Sequence, residues 1–413
     1  MSDDFKAFEE KLPPETQQFF RMIWDSLSAS ERKDAVDIIT AFPSQANLLR
    51  LLLKLSTRQF QQVFGKKHTV VIVGPANVGK SSLYNQLIQH KADRAEVGPL
   101  PGTTRVNQLA DAGIFAVVDT PGADAVGEVG EREQEEALRA AGKGDFLIIT
   151  YDAIQGIKQT ELDLYQRLRA LNKPYIVIIN KIDLVRNAQA RVIDHAAHNL
   201  GLAASQVIPV SAKTGENLSQ VVMAIAAGEP QMIAALGQAL PQYRWQLAWR
   251  AIISAASLSA VIALTPLPFI DFAPLLATQS MMVLSIARIY NYEITLQRAR
   301  ELIVTFGLAF TGRTLFHQLS KFAGLPGWIL AASIAASTTV VMGYAASVWF
   351  ERGERVSKEA LKQMTAETTK YLMETIKSLG KRKPGRKNLQ ETISQALENS
   401  PMAQNQAGFE EFP

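Results

Sequence analysis

The sequence predicts an α/β fold: a doubly wound parallel sheet flanked by an N-terminal helical segment and a C-terminal all-α, membrane-associated domain. Three observations predict it. Short β-branched runs alternate with helix-length stretches between residues 67 and 228, a glycine-rich turn follows the first of these runs, and long uncharged stretches are confined to 251–350. Unbroken β-branched runs suit strands covered on both faces, as parallel strands are. Helix-length spacers between them make βα units. With 413 residues the chain exceeds one ordinary core.

Residues 1–66 read as helices, because FFRMIWDSL at 19–27 and ANLLRLLLKLSTRQFQQVF at 46–64 place apolar residues three and four apart. Pro13, Pro14, Pro43 and Ser44 stand just before these runs, where helices start or break. This segment carries no group suited to catalysis and reads as packing or partner-binding. Residues 67–228 follow, with strands expected at VVIV 70–73, FAVVD 115–119, FLIIT 146–150, YIVII 175–179 and VIPV 207–210. Residues 229–380 form an apolar helical domain, and the basic, polar stretch 381–413 is expected to be a disordered tail.

Five strings carry the chemistry: GPANVGKS at 74–81, PGTT at 101–104, DTPG at 119–122, NKID at 180–183 and SAK at 211–213. All but PGTT fall at or just past the C-terminal end of an expected strand, the edge where open parallel sheets bind ligands. In the first string, Gly74 and Gly79 let the backbone approach phosphate oxygens, Lys80 neutralises charge and Ser81 offers Mg²⁺ a hydroxyl. The fourth and fifth strings choose the base. The carboxylate of Asp183 accepts from N1–H and the 2-amino group of guanine, a pair that adenine does not present. Asn180 is expected at the far edge of the base, the stem of Lys181 over its plane, and the amide of Ala212, between Ser211 and Lys213, at O6.

These strings, over about 67–220, closely resemble the Era-like GTPases of the translation-factor-related class. The resemblance implies GTP and GDP as ligands, hydrolysis of GTP, and Mg²⁺ as cofactor. It implies that amides from Asn77 through Val78 to Ser82 face phosphate oxygens, and that Lys80 reaches the β- and γ-phosphates. Ser81 and Thr104 would ligate Mg²⁺, with Asp119 behind it, and Gly122 would sense the γ-phosphate between switch loops near 96–105 and 122–135. Ala123 stands where small signalling GTPases carry a water-orienting glutamine, so slow intrinsic turnover is expected. In relatives with GxxNxGKS the asparagine helps hold a potassium ion. That gives Asn77 a catalytic part here, although Ala76 replaces the proline usual in the family. Dimerisation through the nucleotide domain and a partner are the other expected accelerators.

The C-terminal half raises the question of membrane contact. No charged residue lies from Phe322 to Phe350, and Trp328 and Trp349 are 21 positions apart. On a helix that spacing is about 31 Å, near the ~30 Å of bilayer hydrocarbon. A transmembrane helix at 325–350 is therefore expected, with a buried helix of a soluble bundle as its rival. Residues 251–288 read as a bent hairpin, with Pro266, Pro268 and Pro274 near its middle and Arg250 and Arg288 at its open ends. PLPFIDFAPLLATQSMMVLSIARIYNYEIT at 266–295 resembles a YcjF-type domain of unknown function found in bacterial inner-membrane proteins, and the match extends over about 245–370. It implies lipid contact, with the nucleotide domain on the cytoplasmic side.

Composition narrows the classes. The absence of cysteine removes disulfides, thiolate zinc sites and cysteine nucleophiles together. A net charge of +4 argues against a general appetite for nucleic acid, and no specific nucleic-acid partner is expected. His195 and His198 have no cysteine and no carboxylate cluster beside them and read as surface residues. Three functional readings stand open at this level: a membrane-associated switch, a ribosome or RNA assembly GTPase, and a dynamin-like membrane remodeller.

Overall fold

A computed structural model of the protein describes residues 68–88, 108–109, 114–120, 128–264, 272–292, 326–380 and 382–404. The expected N-terminal helices and the proline-rich centre of the expected hairpin at 265–271 lie outside these residues. The chain divides into two compact units, with the change falling between Tyr243 and Arg244.

In the first unit, β1 (Val70–Pro75) turns into α1 (Lys80–Leu87), and β2 (Gln108–Leu109) precedes β3 (Phe115–Thr120). Then come α2 (Glu128–Lys143), β4 (Phe146–Asp152), α3 (Gln159–Arg169), β5 (Tyr175–Asn180) and α4 (Gln189–Leu200). The unit closes with β6 (Val207–Pro209), α5 (Leu218–Gly228) and α6 (Ile233–Ala239). The strand order is β2-β3-β1-β4-β5-β6, in which β2 runs antiparallel to β3 and every other neighbouring pair is parallel. The five parallel strands fall where the β-branched runs predicted them. The two-residue β2 leaves no hydrophobic pattern and escapes sequence reading.

Both faces of the sheet are covered. Val71, Val73, Leu147, Ile149, Val177 and Ile179 pack against Ala137 and Ala141 of α2, Leu164 and Leu168 of α3, and Ala196 and Leu200 of α4. The alternate residues Ile72, Ile148 and Ile178 are fully buried as well. This explains the unbroken apolar runs, since neither face meets water. The unit extends past residue 228, the boundary expected from sequence, because Met232, Ile233, Leu236 and Leu240 are buried and Gln242 Nε2 donates to Leu87 O at 2.9 Å.

The second unit is helical. It comprises α7 (Arg244–Ala263), α8 (Phe272–Ile289), α9 (Gly327–Arg352), α10 (Lys358–Lys377), α11 (Arg386–Glu398) and α12 (Pro401–Gln404). α9 packs against α7, α8 and α10. The crossing is close at Gly343, where an added Cβ would lie 2.5 Å from Ile252 Cγ1 and 3.0 Å from Met282 Sδ. Buried hydroxyls and amides link the helices. Gln279 Nε2 donates to Thr339 Oγ1 at 3.1 Å, Thr339 Oγ1 lies 3.0 Å from Ser259 Oγ, and Ser337 shares a hydrogen bond with Thr369. Such bonds let polar side chains occupy an apolar interior without leaving groups unsatisfied.

Two expectations need correction. The stretch 381–413 is not wholly a disordered tail, since 386–398 forms α11. Leu389, Ile393 and Leu397 recur one helical turn apart, are fully buried, and place α11 against α7 and α10. The first apolar arm also starts earlier than 251, because Trp245, Leu247 and Trp249 continue the buried face back to Arg244. Among the described residues, Pro241–Ala263 and Gly327–Arg352 are long and apolar enough to cross a membrane, yet 78% and 83% of their apolar windows are buried inside the protein.

Candidate functional site

The expected nucleotide residues gather at the C-terminal edge of the parallel sheet. β3 and β4 lie on either side of β1, so the chain reverses its progress across the sheet beside the loop that leaves β1. That reversal opens a crevice at the strand ends. The loop Ala76–Gly79 turns sharply, with Asn77 at φ 65° and Gly79 at φ 93°. Asparagine tolerates the left-handed region better than most residues. Gly79 must in addition lack a Cβ, which would sit 2.3 Å from Asn180 Nδ2. Gly79 brings no side chain to cap α1. A helix start of this kind presents amides to an anion, assisted by the helix dipole.

Lys80 opens α1 and is buried. Its Nζ donates to Gly74 O at 2.7 Å and Pro75 O at 2.5 Å, so the ammonium lies folded within the loop that it serves. Val78 is buried beneath the loop, Asn77 is exposed, and Ser81 and Ser82 are half-buried on the first turn of α1. Asp119 is in register with Gly74 across the β1–β3 pair, which puts its backbone at the level of the loop. Thr104, Gly122 and the two expected switch loops lie outside the described residues, apart from the part of the second that enters α2.

The base-selecting loops are joined by side-chain bonds. Asn180, buried at the end of β5, donates from Nδ2 to Val78 O at 2.8 Å and accepts from Ala212 N at 2.9 Å. Sequence reasoning gave Asn180 to the far edge of the base and the Ala212 amide to O6. In the structure each is directed to the other, and Asn180 stitches three loops together. Ser211 Oγ donates to Asp183 Oδ1 at 2.7 Å and accepts from Thr214 N at 3.2 Å. Asp183 is thereby oriented from one oxygen. Lys213 points to solvent.

One residue of this cluster escaped sequence reading. Asp152 ends β4, and its carboxylate lies 2.6 Å from Lys181 Nζ. The signal was an acidic residue closing an apolar strand run, as Asp119 closes FAVVD. His195 and His198 are exposed on α4, and His195 Nε2 lies 3.2 Å from Asn199 Nδ2. Among the described residues no group of three histidine or acidic side chains is placed to hold a metal.

Fold and site together define a P-loop domain of the guanine-nucleotide class. The family is specific: residues 69–181 match the family described as 50S ribosome-binding GTPase, and residues 229–378 match a domain of unknown function, DUF697. Residues 69–181 are thus similar to a GTPase family and residues 229–378 to the DUF697 domain. It is similar to the tRNA modification GTPase MnmE of Synechocystis sp., with 32% identity over 54% of this chain and 47% of that one. It is similar to the GTPase Der of Solidesulfovibrio magneticus, with 37% identity over 39% of this chain and 36% of that one. A crystal structure of Aquifex aeolicus Era bound to GDP.AlF4- shares 27% identity over 48% of this chain and 68% of that one, at a TM-score of 0.32. The chain thus spans less than half the length of both relatives.

Proposed function

We propose that the chain binds GTP, hydrolyses it slowly with Mg²⁺, and uses the cycle as a switch at a membrane that its helical unit contacts. The observation that carries the nucleotide reading is the orientation of Asp183 by Ser211 beside a loop whose shape Asn180 and Gly79 set together. A carboxylate held in this way accepts from the paired donors of guanine. It would be left unpaired by adenine, at about 1–3 kcal/mol.

The residues present fit a Mg²⁺–nucleotide complex. The glycine-rich turn leaves backbone room for phosphate, α1 begins at that turn, and Ser81 stands on its first turn. On this reading Lys80 exchanges its two carbonyl partners for β- and γ-phosphate oxygens. Ser81 and Thr104 would hold Mg²⁺, with Asp119 supporting them, and Gly122 would respond to the γ-phosphate. Mg²⁺, when bound, neutralises charge on the transferring phosphate. Ala123 cannot orient water, so acceleration would come from elsewhere: a potassium ion that Asn77 would help hold, a second copy docked on the nucleotide domain, or a partner.

The membrane part rests on the two long apolar helices and on the resemblance of 245–370 to domains of inner-membrane proteins. On this reading the nucleotide domain lies on the cytoplasmic side.

The decisive measurement is binding of a fluorescent GDP to the full chain with ATP as competitor. ATP should fail to displace it. Asp183→Asn should weaken guanine nucleotide about 10–100-fold and favour xanthine nucleotides, whose 2-oxo group accepts from the new amide. ATP binding as tight as GTP would end the reading. Alkaline extraction tests the membrane part. Retention with lipid supports it, release as a monodisperse protein refutes it, and pelleting with ribosomes would favour an assembly GTPase.

A further inference from the structure

Asp152 carries an inference that deepens the guanine reading and rests on it. It ends β4, in register with Asn180 of β5, so it stands one strand away from the base-selecting loop. Its side chain is 2% exposed, and both carboxylate oxygens are used. Oδ1 accepts from Ile154 N at 2.7 Å, and Oδ2 meets Lys181 Nζ at 2.6 Å. The same ammonium donates to Asn77 O at 2.7 Å in the glycine-rich loop. Two successive carbonyls of that loop, Asn77 O and Val78 O, are therefore held by two successive residues of the base loop, Lys181 and Asn180.

We propose that Asp152 is a positioning residue for guanine-nucleotide binding, fixing the Lys181 ammonium so that one side chain both covers the base and pins the phosphate loop. A buried ion pair is a poor device for stability alone, because desolvation offsets most of the attraction. Orientation is what this pair supplies. A free lysine carries about 2 kcal/mol of rotamer entropy. A lysine already held at its tip loses little of that freedom when a base settles on its stem. Lys181 sits at φ 67°, a left-handed conformation unfavourable for a side-chain-bearing residue, and from that backbone its tip makes both contacts.

A double-mutant cycle on the full chain, read by the dissociation constant of a fluorescent GDP, separates positioning from general support of the loop. Asp152→Asn keeps the shape and the acceptor for Ile154 N but removes the charge that holds Lys181. Lys181→Met keeps a stem for the base but removes the tip. Each change should weaken binding by about 10-fold or more, the scale of a hydrogen bond to a charged group. Asp152→Asn added to Lys181→Met should then weaken binding no further. Asp152→Ala repeats the cycle where the asparagine variant folds poorly. Losses that multiply in the double variant, or an Asp152→Asn chain that binds like the parent, overturn the proposal while guanine binding stands. A parent chain that binds no guanine nucleotide overturns the functional reading instead.

Discussion

The sheet unit and the helical unit use apolar residues in nearly equal measure but to different ends. In the sheet unit the apolar runs are short, and polar groups stand at or just past the C-terminal ends of three of them: Asp152 at β4, Asn180 at β5 and Ser211 after β6. The core holds the strands in register, and the register lines those groups along one edge. In the helical unit the apolar runs are long and their polar groups are spent inside. Thr339, Ser259, Gln279, Ser337 and Thr369 bond one another or nearby carbonyls in the core. One unit places its polar chemistry at an edge, and the other consumes it in packing.

Charge insertion gives the largest test of that contrast. Val341 is fully buried in α9 among three helices. Val341→Arg should cost roughly 3–5 kcal/mol as an unpaired charge in a protein core. In lipid the same change should cost about 2.5–3.5 kcal/mol. Either way, thermal melts should show the helical unit lost while the full chain still binds GDP. Loss of both together would mean that the units do not stand independently.

A cavity gives the next effect. Leu397→Ala removes a fully buried side chain from α11 and should lower stability by about 2–5 kcal/mol in urea titration, with nucleotide affinity unchanged. An unmoved midpoint would return 386–398 to the status of a loosely attached tail.

Two glycines sharpen the comparison at a smaller scale. Gly343→Val overpacks the α7–α8–α9 crossing and should cost about 1–3 kcal/mol, visible only in stability. Gly79→Ala combines a left-handed φ with a 2.3 Å approach to Asn180. It should cost about 1–2 kcal/mol of backbone strain and weaken GDP binding as well. If Gly79→Ala left GDP affinity intact, Asn180 and the glycine-rich loop would not be working as one piece.

The same contrast explains what the sequence made legible. Five strands were readable because parallel strands are buried on both sides and leave unbroken β-branched runs. The convergence of the motif loops at one sheet edge was readable because each follows an expected strand. Asp152 was missed because its partner, Lys181, is distant in sequence and meets it only through the β4–β5 register. The exchange between Asn180 and Ala212 was missed for the same reason: side-chain bonds among loops are set by tertiary placement. In the helical unit, periodicity could not separate a lipid-facing helix from a core helix, since both are apolar around their circumference. α11 was missed because a basic, glycine- and proline-containing start, KRKPGRK, masked the turn-by-turn stripe behind it.

The placement of α11 has a consequence for the order in which the chain can be made. It packs on α7, although the two helices are separated in sequence by all of α8, α9 and α10. Synthesis at about 5–20 residues per second leaves roughly 6 to 25 seconds between the emergence of α7 and that of its cover. During that interval the apolar surface of α7 stands without its last partner. A nascent chain in this state is a substrate for whatever captures exposed hydrophobic helices first, a chaperone or a membrane surface. The helical unit is therefore subject to kinetic competition at the ribosome, whereas the sheet unit, complete by residue 243, is already closed when that competition begins.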